Sequence, residues 1–141
     1  MQRTASAQWK GGLKDGKGTV STASGVLSNT QYSFSTRFES GAGTNPEELI
    51  AAAHAGCFSM ALSAELGKAN ITPQSVDTKC TLTFEKTDKG FTVTESHLEV
   101  KARIPGGNKS AFDKAAADAK AGCPISRLLN TKITMNAALE S

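Results

Sequence analysis

Short runs of alternating apolar and polar residues, separated by glycine-containing turns, predict strands in the first 39 residues. The turn signals are Gly11-Gly12, Asp15-Gly16 and Ser24-Gly25. The alternation is clearest over residues 32–38, where Tyr32, Phe34 and Phe38 would lie on one face of a strand. We therefore expect an antiparallel meander that ends with a strand over residues 32–38.

A different pattern begins at Asn45, where small and apolar residues continue around most of a helix circumference to about Lys68. Asn45 is a favourable N-cap, and Pro46 suits the first helical position because its missing N–H needs no partner there. Glu48 stands at the capping-box position and is expected to accept from the Asn45 N–H. These features predict one long, centrally buried helix.

The remaining sequence predicts strands, a second helix and a closing strand. The apolar positions of residues 91–104 change from odd to even numbers, which predicts a bulge near residues 95–97. The predicted elements are a strand over 76–86, a strand over 91–104, an alanine-rich helix over 108–121 that Gly122 ends, and a strand over 133–139. This order predicts one α+β domain, residues 1–141, with a mainly antiparallel sheet.

Composition excludes some functional classes. The net charge is only +3 and aromatic residues are 6%, too few for the stacking surface that single-stranded nucleic acid requires, so no nucleic-acid partner is expected. No uninterrupted apolar run approaches the ~18 residues that cross a bilayer, and residues 1–6 lack the apolar core of a signal peptide. We therefore expect a cytoplasmic protein without a membrane partner. Its three cysteines should be reduced thiols and not a structural disulfide framework.

Two of these cysteines stand in unusual positions. Cys57 lies within the long apolar helix, where a free thiol can simply fill the core. Cys123 precedes Pro124 and a short predicted helix, and the N-terminus of a helix lowers the pKa of a thiol, although Gly122-Cys123-Pro124 could also be only a turn. Cys80, which alternates with apolar residues on a strand, is expected to be a core residue.

The two histidines, His54 and His97, are candidate metal ligands. His54 lies three residues before Cys57, so both share a helix face, but the sequence supplies no Cys-x-x-Cys or His-x-x-x-His spacing to complete a zinc site. His97, at the predicted bulge, has no evident partner. We therefore expect no metal.

A reactive thiol needs more than a low pKa. An ordinary thiol is about 3% ionised at pH 7, so full ionisation gains at most ~30-fold, and nucleophilicity falls with pKa. An arginine that stabilises the leaving oxygen of a peroxide can supply more. Of the four arginines, Arg37 precedes the long helix on what we expect to be an adjoining strand, where it could also be a solvated surface residue.

Three stretches of the sequence resemble the OsmC/Ohr family of osmotically inducible and organic-hydroperoxide-resistance proteins, and specifically its OsmC branch. They are residues 16–27, residues 36–62 with their Asn-Pro-Glu-Glu-Leu motif and Cys57, and residues 119–126 with their Cys-Pro pair. The resemblance implies a mainly antiparallel sheet wrapped around a long central helix in an intertwined homodimer. It also implies a thiol-dependent peroxidase that prefers organic hydroperoxides and serves in oxidative and osmotic stress defence.

The resemblance also implies roles for individual residues. Cys57 matches the peroxidatic cysteine, Cys123 the resolving cysteine with which it forms a disulfide, and Glu47 the glutamate that orients an arginine. Arg37 matches the arginine of the OsmC branch, while Lys14 stands where the Ohr branch has its arginine and is the weaker candidate. The implied reaction needs no cofactor, only an external thiol reductant, for which a lipoyl-type dithiol is one candidate.

Helix geometry adds a condition to this assignment. Glu47 and Cys57 are ten residues apart, or about 15 Å along one helix, so both can serve one site only if Glu47 comes from a second chain. Small residues on the helix, such as Ala52 and Gly56, would let two antiparallel copies approach closely. The alternatives to an enzyme are a redox sensor that forms the same disulfide and a non-catalytic binding domain whose thiols fill the core.

Overall fold

The computed structural model describes residues 1–141, which separate into two compact units, residues 1–49 and residues 50–141. The expectation of a single domain stays a prediction. The elements are β1 (Ala5–Lys10), β2 (Lys17–Thr22), β3 (Thr30–Tyr32), α1 (Phe34–Phe38), α2 (Pro46–Lys68), β4 (Ser75–Thr87), β5 (Gly90–Arg103), α3 (Lys109–Gly122), α4 (Pro124–Leu128) and β6 (Lys132–Glu140). The mixed α+β class with a long helix is confirmed.

The first unit begins with the expected antiparallel meander, in the order β1-β2-β3. Trp9 of β1 and Tyr32 of β3 meet over Gly18 of the central strand, with their ring centroids 5.5 Å apart. A Cβ atom on Gly18 would come within 2.5 Å of the Tyr32 ring, so glycine is required for this close approach.

The expected strand over residues 32–38 is wrong, because β3 ends at Tyr32 and helix α1 follows it. Ser33 caps this helix: its Oγ accepts from the Thr36 N–H at 3.2 Å, and Thr36 Oγ1 accepts from the Ser33 N–H at 2.8 Å. Phe34 and Phe38 are four residues apart, a spacing that places them on one face of a strand or of a helix alike. Here their ring centroids lie 4.8 Å apart on the helix, and Arg37 is therefore a helical residue.

The long helix α2 begins where the sequence predicts. Asn45 Oδ1 accepts from the Glu48 N–H at 2.7 Å, and Asn45 Nδ2 donates to the Thr36 carbonyl at 3.0 Å. The expectation that Glu48 accepts from the Asn45 N–H is wrong, because the Glu48 carboxylate accepts from the Thr44 hydroxyl at 2.8 Å instead. Asn45 thus fixes the first turn of α2 and ties it to the segment that precedes the helix.

The expectation that α2 is buried around its circumference is also wrong for this chain. Its buried residues form one stripe at four-residue spacing, namely His54, Phe58, Leu62 and Leu66. The helix has 23 residues and a mean hydropathy of 1.4 in its best window, so length and composition alone would let it cross a membrane, which corrects the sequence-based expectation. The core helix of a soluble protein passes the same test, and the finding is weak evidence for a membrane.

The second unit contains a three-stranded sheet in the order β4-β5-β6. Strands β4 and β5 are antiparallel, whereas β6 lies parallel to β5, so the second sheet is mixed. The register shifts between Thr83, which pairs with Glu95, and Phe84, which pairs with Val93. The bulge therefore lies at Thr94, one residue before the predicted range.

A parallel neighbour requires a crossover, and α3 and α4 provide it between β5 and β6. Asn108 caps α3, where its Oδ1 accepts from the Ala111 N–H at 3.0 Å. The core lies among the buried stripe of α2, the inner face of β5 and the apolar face of α3. Its members are Phe58, Leu62, Leu66, Leu98, Val100, Ala102, Ile104, Phe112, Ala115, Ala116, Ala119 and Cys123.

Candidate active site

Cys57 lies near the middle of α2 and is half-buried against the core of the second unit. It directly precedes the completely buried Phe58 and lies one turn after His54. All three cysteines are free thiols. Cys57 thus combines a rigid helical position with partial access from outside.

Cys123 is the N-cap residue of α4, as the sequence predicts, and its side chain is 0% exposed. Pro124 occupies the first helical position, where no N–H is needed. The backbone of Ser126 and Ile125 lowers the pKa of the Cys123 thiol. The start of α4 therefore favours a thiolate in a site that solvent does not reach.

The Cys57 and Cys123 thiols are neighbours that shift each other's pKa. Burial raises the pKa of Cys57, and donation of its S–H to Cys123 raises that pKa further. Burial also opposes ionisation of Cys123, but the hydrogen bonds from Cys57 and from the backbone of Ser126 and Ile125 outweigh it, so the pKa of Cys123 is lowered. The lowered pKa at a helix N-terminus matches the sequence-based expectation. Of the two thiols, Cys123 is therefore the more readily ionised.

The two sulfurs also differ in exposure: the sulfur that ionises less readily, that of Cys57, is the more exposed one. A molecule from outside reaches the half-buried Cys57, whereas Cys123 is fully covered. Two neighbouring thiols can also form a disulfide once one of them is oxidised. Cys57 can therefore react with an oxidant while Cys123 is shielded from it, and Cys123 can then form the disulfide.

Arg37 and Glu47 lie together in the first unit. Arg37 Nη2 donates to Glu47 Oε1 at 2.8 Å, and Arg37 Nε donates to the two carboxylate oxygens at 3.0 and 3.3 Å. The carboxylate is the better buried partner, with 13% of its side chain exposed against 39% for Arg37. Lys14 lies elsewhere in this unit, with its Nζ 6.0 Å from the centre of the Phe34 ring. Glu47 thus fixes the orientation of a cation, and that cation is Arg37.

The candidate residues therefore form two pairs. Cys57 and Cys123 meet within residues 50–141, and Arg37 and Glu47 meet within residues 1–49. Ten residues of helix α2 separate Glu47 from Cys57, as counted from the sequence. The catalytic roles of all four residues, and of Lys14 as the alternative cation, stay predictions.

Sequence reasoning missed a buried polar row next to the thiols. His54 is completely buried, with Nδ1 2.7 Å from Ser96 Oγ and Nε2 2.7 Å from Ser126 Oγ. Burial lowers the pKa of His54, which favours the neutral ring. Ser96 Oγ also lies 3.2 Å from Cys80 Sγ, so Cys80 has a polar contact beyond its expected packing role. A histidine on the apolar stripe of a helix was the available signal, because a buried imidazole needs partners.

His97 does have partners, which corrects the sequence-based view. Its Nδ1 lies 2.6 Å from Thr134 Oγ1, and its Nε2 lies 2.8 Å from Glu99 Oε1. These contacts tie the central strand β5 to β6 on the face away from the thiols' core. No group of three histidine, cysteine or acidic side chains in the chain is arranged to hold a metal ion.

An open cavity of about 470 Å³ with a mixed polar and apolar lining adjoins α4. Its lining residues are Ala117, Lys120, Ala121, Ser126, Leu129, Thr131, Ile133 and Met135. A larger cavity of about 590 Å³ lies on the sheet, among residues such as Asp77, Lys79 and Glu99. Neither cavity is lined by a thiol, but the smaller one reaches the Cys123 turn through Ser126.

Comparison with known proteins identifies close relatives. The family model described as OsmC-like protein matches residues 39–138. The chain is 50% identical to Peroxiredoxin OsmC of Escherichia coli (strain K12) over 141 residues, which are 100% of this chain and 99% of that protein. A relative of the same name from Shigella flexneri is also 50% identical, with the same coverage.

Solved structures agree with this assignment. The organic hydroperoxide resistance protein OsmC from Legionella pneumophila has a TM-score of 0.68 and 25% identity, covering 98% of this chain and 97% of that one. The organic hydroperoxide resistance protein OhrB of Bacillus subtilis, at 23% identity, shares the fold with a TM-score of 0.71 and covers 97% of this chain and 98% of that one. The extent of the family match and the full-length identity together show that this chain belongs to the OsmC family.

Proposed function

We propose that this protein is a two-cysteine, thiol-dependent peroxidase that reduces organic hydroperoxides to alcohols and so protects the cell under oxidative and osmotic stress. The observation that carries the proposal is the contact between a half-buried Cys57 and a fully covered Cys123. The 50% identity to a curated peroxiredoxin supports the activity, and the names of the structural relatives support the substrate class.

In the first step, the Cys57 thiolate attacks the distal oxygen of the hydroperoxide. The O–O bond breaks, the alkoxide takes up a proton and leaves as the alcohol, and Cys57 becomes a sulfenic acid. Because the pKa of Cys57 is raised and that of Cys123 is lowered, the Cys57 thiol must lose its proton before attack, and the Cys123 thiolate is the base we assign to this step. The exposure of Cys57 is the reason for assigning the first attack to it.

In the second step, the Cys123 sulfur attacks the Cys57 sulfur. An S–S bond forms, the S–O bond breaks, and the leaving hydroxide departs as water with the proton that Cys123 has lost. An external dithiol then reduces the disulfide to two thiols and is itself oxidised. A lipoyl-type dithiol is one candidate for this reductant.

Arg37 is assigned the role of polarising the peroxide and stabilising the Cys57 thiolate. The bidentate contact with Glu47 supports this role, because it fixes the plane of the guanidinium group before the substrate arrives. The position of Lys14 over an aromatic ring, and not beside Glu47, makes it the weaker candidate.

We further propose that two copies of the chain form a homodimer, with Glu47 and Arg37 of one copy serving the thiols of the other. Ten helical residues, or about 15 Å, prevent Glu47 from reaching Cys57 along a single α2. A face of α2 is exposed in the single chain, and its residues are small or apolar. They include Ala52, Ala53, Gly56, Met60 and Ala64. Such a face suits close packing of a second copy of the helix.

The apolar side chains Leu129, Ile133 and Met135 in the lining of the cavity beside α4 support a lipophilic substrate over hydrogen peroxide. The proposal places the enzyme in the cytoplasm, where reduced thiols are maintained. It requires no cofactor and no metal.

Mass mapping after peroxide treatment tests the proposal. One equivalent of cumene hydroperoxide should produce a Cys57–Cys123 disulfide, and a dithiol should restore both thiols with continued peroxide consumption. Cys57→Ser should abolish this consumption, whereas the matched control Cys80→Ser should retain it. A dominant disulfide that contains Cys80 would contradict the mechanism. A disulfide that forms once without catalytic turnover would favour a redox sensor instead.

A further inference from the structure

Helix α4, which follows Cys123, is too short to hold its own position. It has five residues, and the side chain of its N-cap residue makes no hydrogen bond to its first turn. Its backbone hydrogen bonds run from the Arg127 N–H to the Cys123 carbonyl and from the Leu129 N–H to the Ile125 carbonyl, both at 3.0 Å. A helix of this length is unstable alone, because nucleation is unfavourable and few bonds follow it. Contacts with the rest of the unit must therefore fix where α4, and with it Cys123, lies.

One polar side chain of α4 makes such a contact. Ser126 is 7% exposed, and its Oγ lies 2.7 Å from Nε2 of His54, which is 0% exposed. His54 belongs to α2, the helix that bears Cys57. This hydrogen bond therefore joins the helix of one redox cysteine to the helix that begins at the other.

The same hydrogen bond lies about one helical turn from each cysteine. Cys57 is three residues after His54 on α2, and residues three apart lie on one face of a helix. Cys123 and Ser126 are the N-cap and third positions of α4, which also lie on one side of a helix. Cys123 belongs to the buried core, and Cys57 packs against that core. Fixing His54 to Ser126 therefore sets the spacing of the two cysteines.

The imidazole is also held from its opposite side. His54 Nδ1 lies 2.7 Å from Ser96 Oγ, and Ser96, on the central strand β5, is completely buried. With a partner on each nitrogen, the ring cannot turn without breaking a hydrogen bond. Ser96 thus fixes the ring to the sheet, and the ring in turn fixes α4.

Packing alone does not account for a histidine at this position. An apolar side chain would fill the space, as Phe58, Leu62 and Leu66 do along the same stripe of α2. A buried imidazole destabilises the fold unless its nitrogens are hydrogen-bonded. Apolar burial is non-directional, whereas a hydrogen bond has a defined length and angle. The polar residue therefore gives α4 one defined position on α2.

We propose that His54 is a positioning residue of the redox pair: its ring fixes α4 against α2 and so holds Cys123 within bonding distance of Cys57. This role rests on the proposed function, in which the Cys123 thiolate attacks the Cys57 sulfenic acid. The S–S bond forms, the S–O bond breaks, and the hydroxide leaves as water with the proton that Cys123 has lost. His54 takes no part in the proton transfer and acts by raising the effective concentration of one thiol at the other.

Amide hydrogen exchange measures whether this contact holds α4. In Ser126→Ala the Arg127 and Leu129 amides, whose hydrogen bonds close α4, should exchange about threefold faster or more, although alanine itself favours a helix. Ser126→Thr keeps the hydroxyl and should keep the slow exchange, because residue 126 lines an open cavity that can take the added methyl group. The Phe112 amide, on α3, should exchange at the same rate in every variant.

The thiol–disulfide equilibrium measures the spacing of the two cysteines without peroxide. Glutathione buffers of graded ratio define the point at which half of the unmodified chain holds the Cys57–Cys123 disulfide. His54→Leu fills the space but removes both hydrogen bonds, so half-oxidation should require a ratio about three- to tenfold more oxidising. His54→Gln keeps an amide for Ser126 and should recover part of this shift.

Ser59→Ala is the matched control. It removes another hydrogen bond of α2, the 2.8 Å contact between Ser59 and Thr78 of β4, which does not involve α4. The glutathione ratio at half-oxidation and the exchange of the α4 amides should both stay as in the unmodified chain.

Rapid kinetics separate positioning from a general loss of stability. With cumene hydroperoxide, sulfenic acid formation at Cys57 should keep its rate in Ser126→Ala, while disulfide formation should slow about three- to tenfold. Equal slowing of both steps would overturn the proposal. So would unchanged exchange of the α4 amides in Ser126→Ala, or an equal shift of the glutathione ratio in Ser59→Ala.

Two further outcomes are covered by the design. Should His54→Leu fail to fold, the pair Ser126→Ala and Ser126→Thr decides the role of the contact in all three measurements. If the unmodified chain consumes no hydroperoxide, the proposed function fails. Hydrogen exchange and the glutathione titration use no peroxide, so they still decide whether His54 positions the redox pair.

Discussion

Replacing Cys123 by serine should make the first reaction of Cys57 with a hydroperoxide faster at neutral pH. The structure shows why: burial raises the pKa of Cys57, and donation to the Cys123 sulfur, together with the charge on it, raises that pKa further. Serine at position 123 carries no charge and can donate to a Cys57 thiolate. The burial contribution remains, but the contribution of the neighbouring thiolate is lost, so the pKa of Cys57 falls.

The magnitude follows from the loss of one charge-assisted hydrogen bond. Such a bond contributes about 1.5 kcal/mol or more, which corresponds to about one pH unit in the midpoint. A thiol titrating above neutral pH then has about ten times more thiolate at pH 7. Because intrinsic nucleophilicity falls with pKa, roughly a threefold gain in rate is left. The rate rises with pH through the Cys57 pKa, so the variant should show this rise at lower pH.

Stopped-flow measurement of one turnover with cumene hydroperoxide, over a series of pH values, measures this effect. The variant should then stall as a sulfenic or overoxidised acid at Cys57, because the resolving thiol is absent. The control is Cys80→Ser, which leaves the Cys57–Cys123 contact in place and should keep the original pH profile. A variant that reacts more than tenfold slower at every pH would refute the reasoning. It would show that the Cys123 thiolate is needed to remove the Cys57 proton, or attacks the peroxide itself.

Three further outcomes are expected. Cumene hydroperoxide should exceed hydrogen peroxide in kcat/KM by tenfold or more, because a few buried methylenes contribute ~0.8 kcal/mol each, and a ratio at or below one would exclude an apolar substrate pocket. Mixing Cys57→Ser chains with Glu47→Ala chains should restore activity on subunit exchange, and a confirmed dimer that shows no complementation would remove Glu47 from the partner's site. Asn45→Ala should lower the free energy of unfolding by about 1–2 kcal/mol in urea denaturation, since it removes the helix cap on the Glu48 N–H, whereas Asn45→Ser should recover most of the loss.

The elements that sequence predicted well are those with local signals. The start of α2 follows from the Asn45-Pro46 cap, and that of α3 from Asn108, because a cap acts within one turn of its own helix. Helix α1 was missed because Phe34 and Phe38 satisfy the strand and helix periods equally. The sequence signal for the helix was the spacing of Ser33 and Thr36, whose reciprocal hydrogen bonds cap α1. The alternating aromatic residues favoured a strand over the same residues.

In the candidate site, too, local features could be predicted from the sequence and contacts between distant residues could not. The backbone contribution of Ser126 and Ile125 to the lowered Cys123 pKa is local and could be expected from a helix N-terminus, whereas the larger contribution of Cys57 could not. The raised pKa of Cys57 could not, because it results from burial and from a residue distant in sequence. The partners of His54 could not be predicted either, because Ser96 and Ser126 lie 42 and 72 residues further along the chain. Contacts of that separation depend on how the sheet and crossover pack, which no local pattern specifies.

The parallel pairing of β5 and β6 has a consequence for how the thiol pair responds to partial unfolding. Cys123 lies on the crossover between these strands, and β6 holds the far end of that crossover in the sheet. Detachment of β6 would release this end of the crossover, whereas Cys57 would stay on its own helix. The redox pair is therefore only as durable as the β5–β6 pairing, although neither strand contributes a thiol to it.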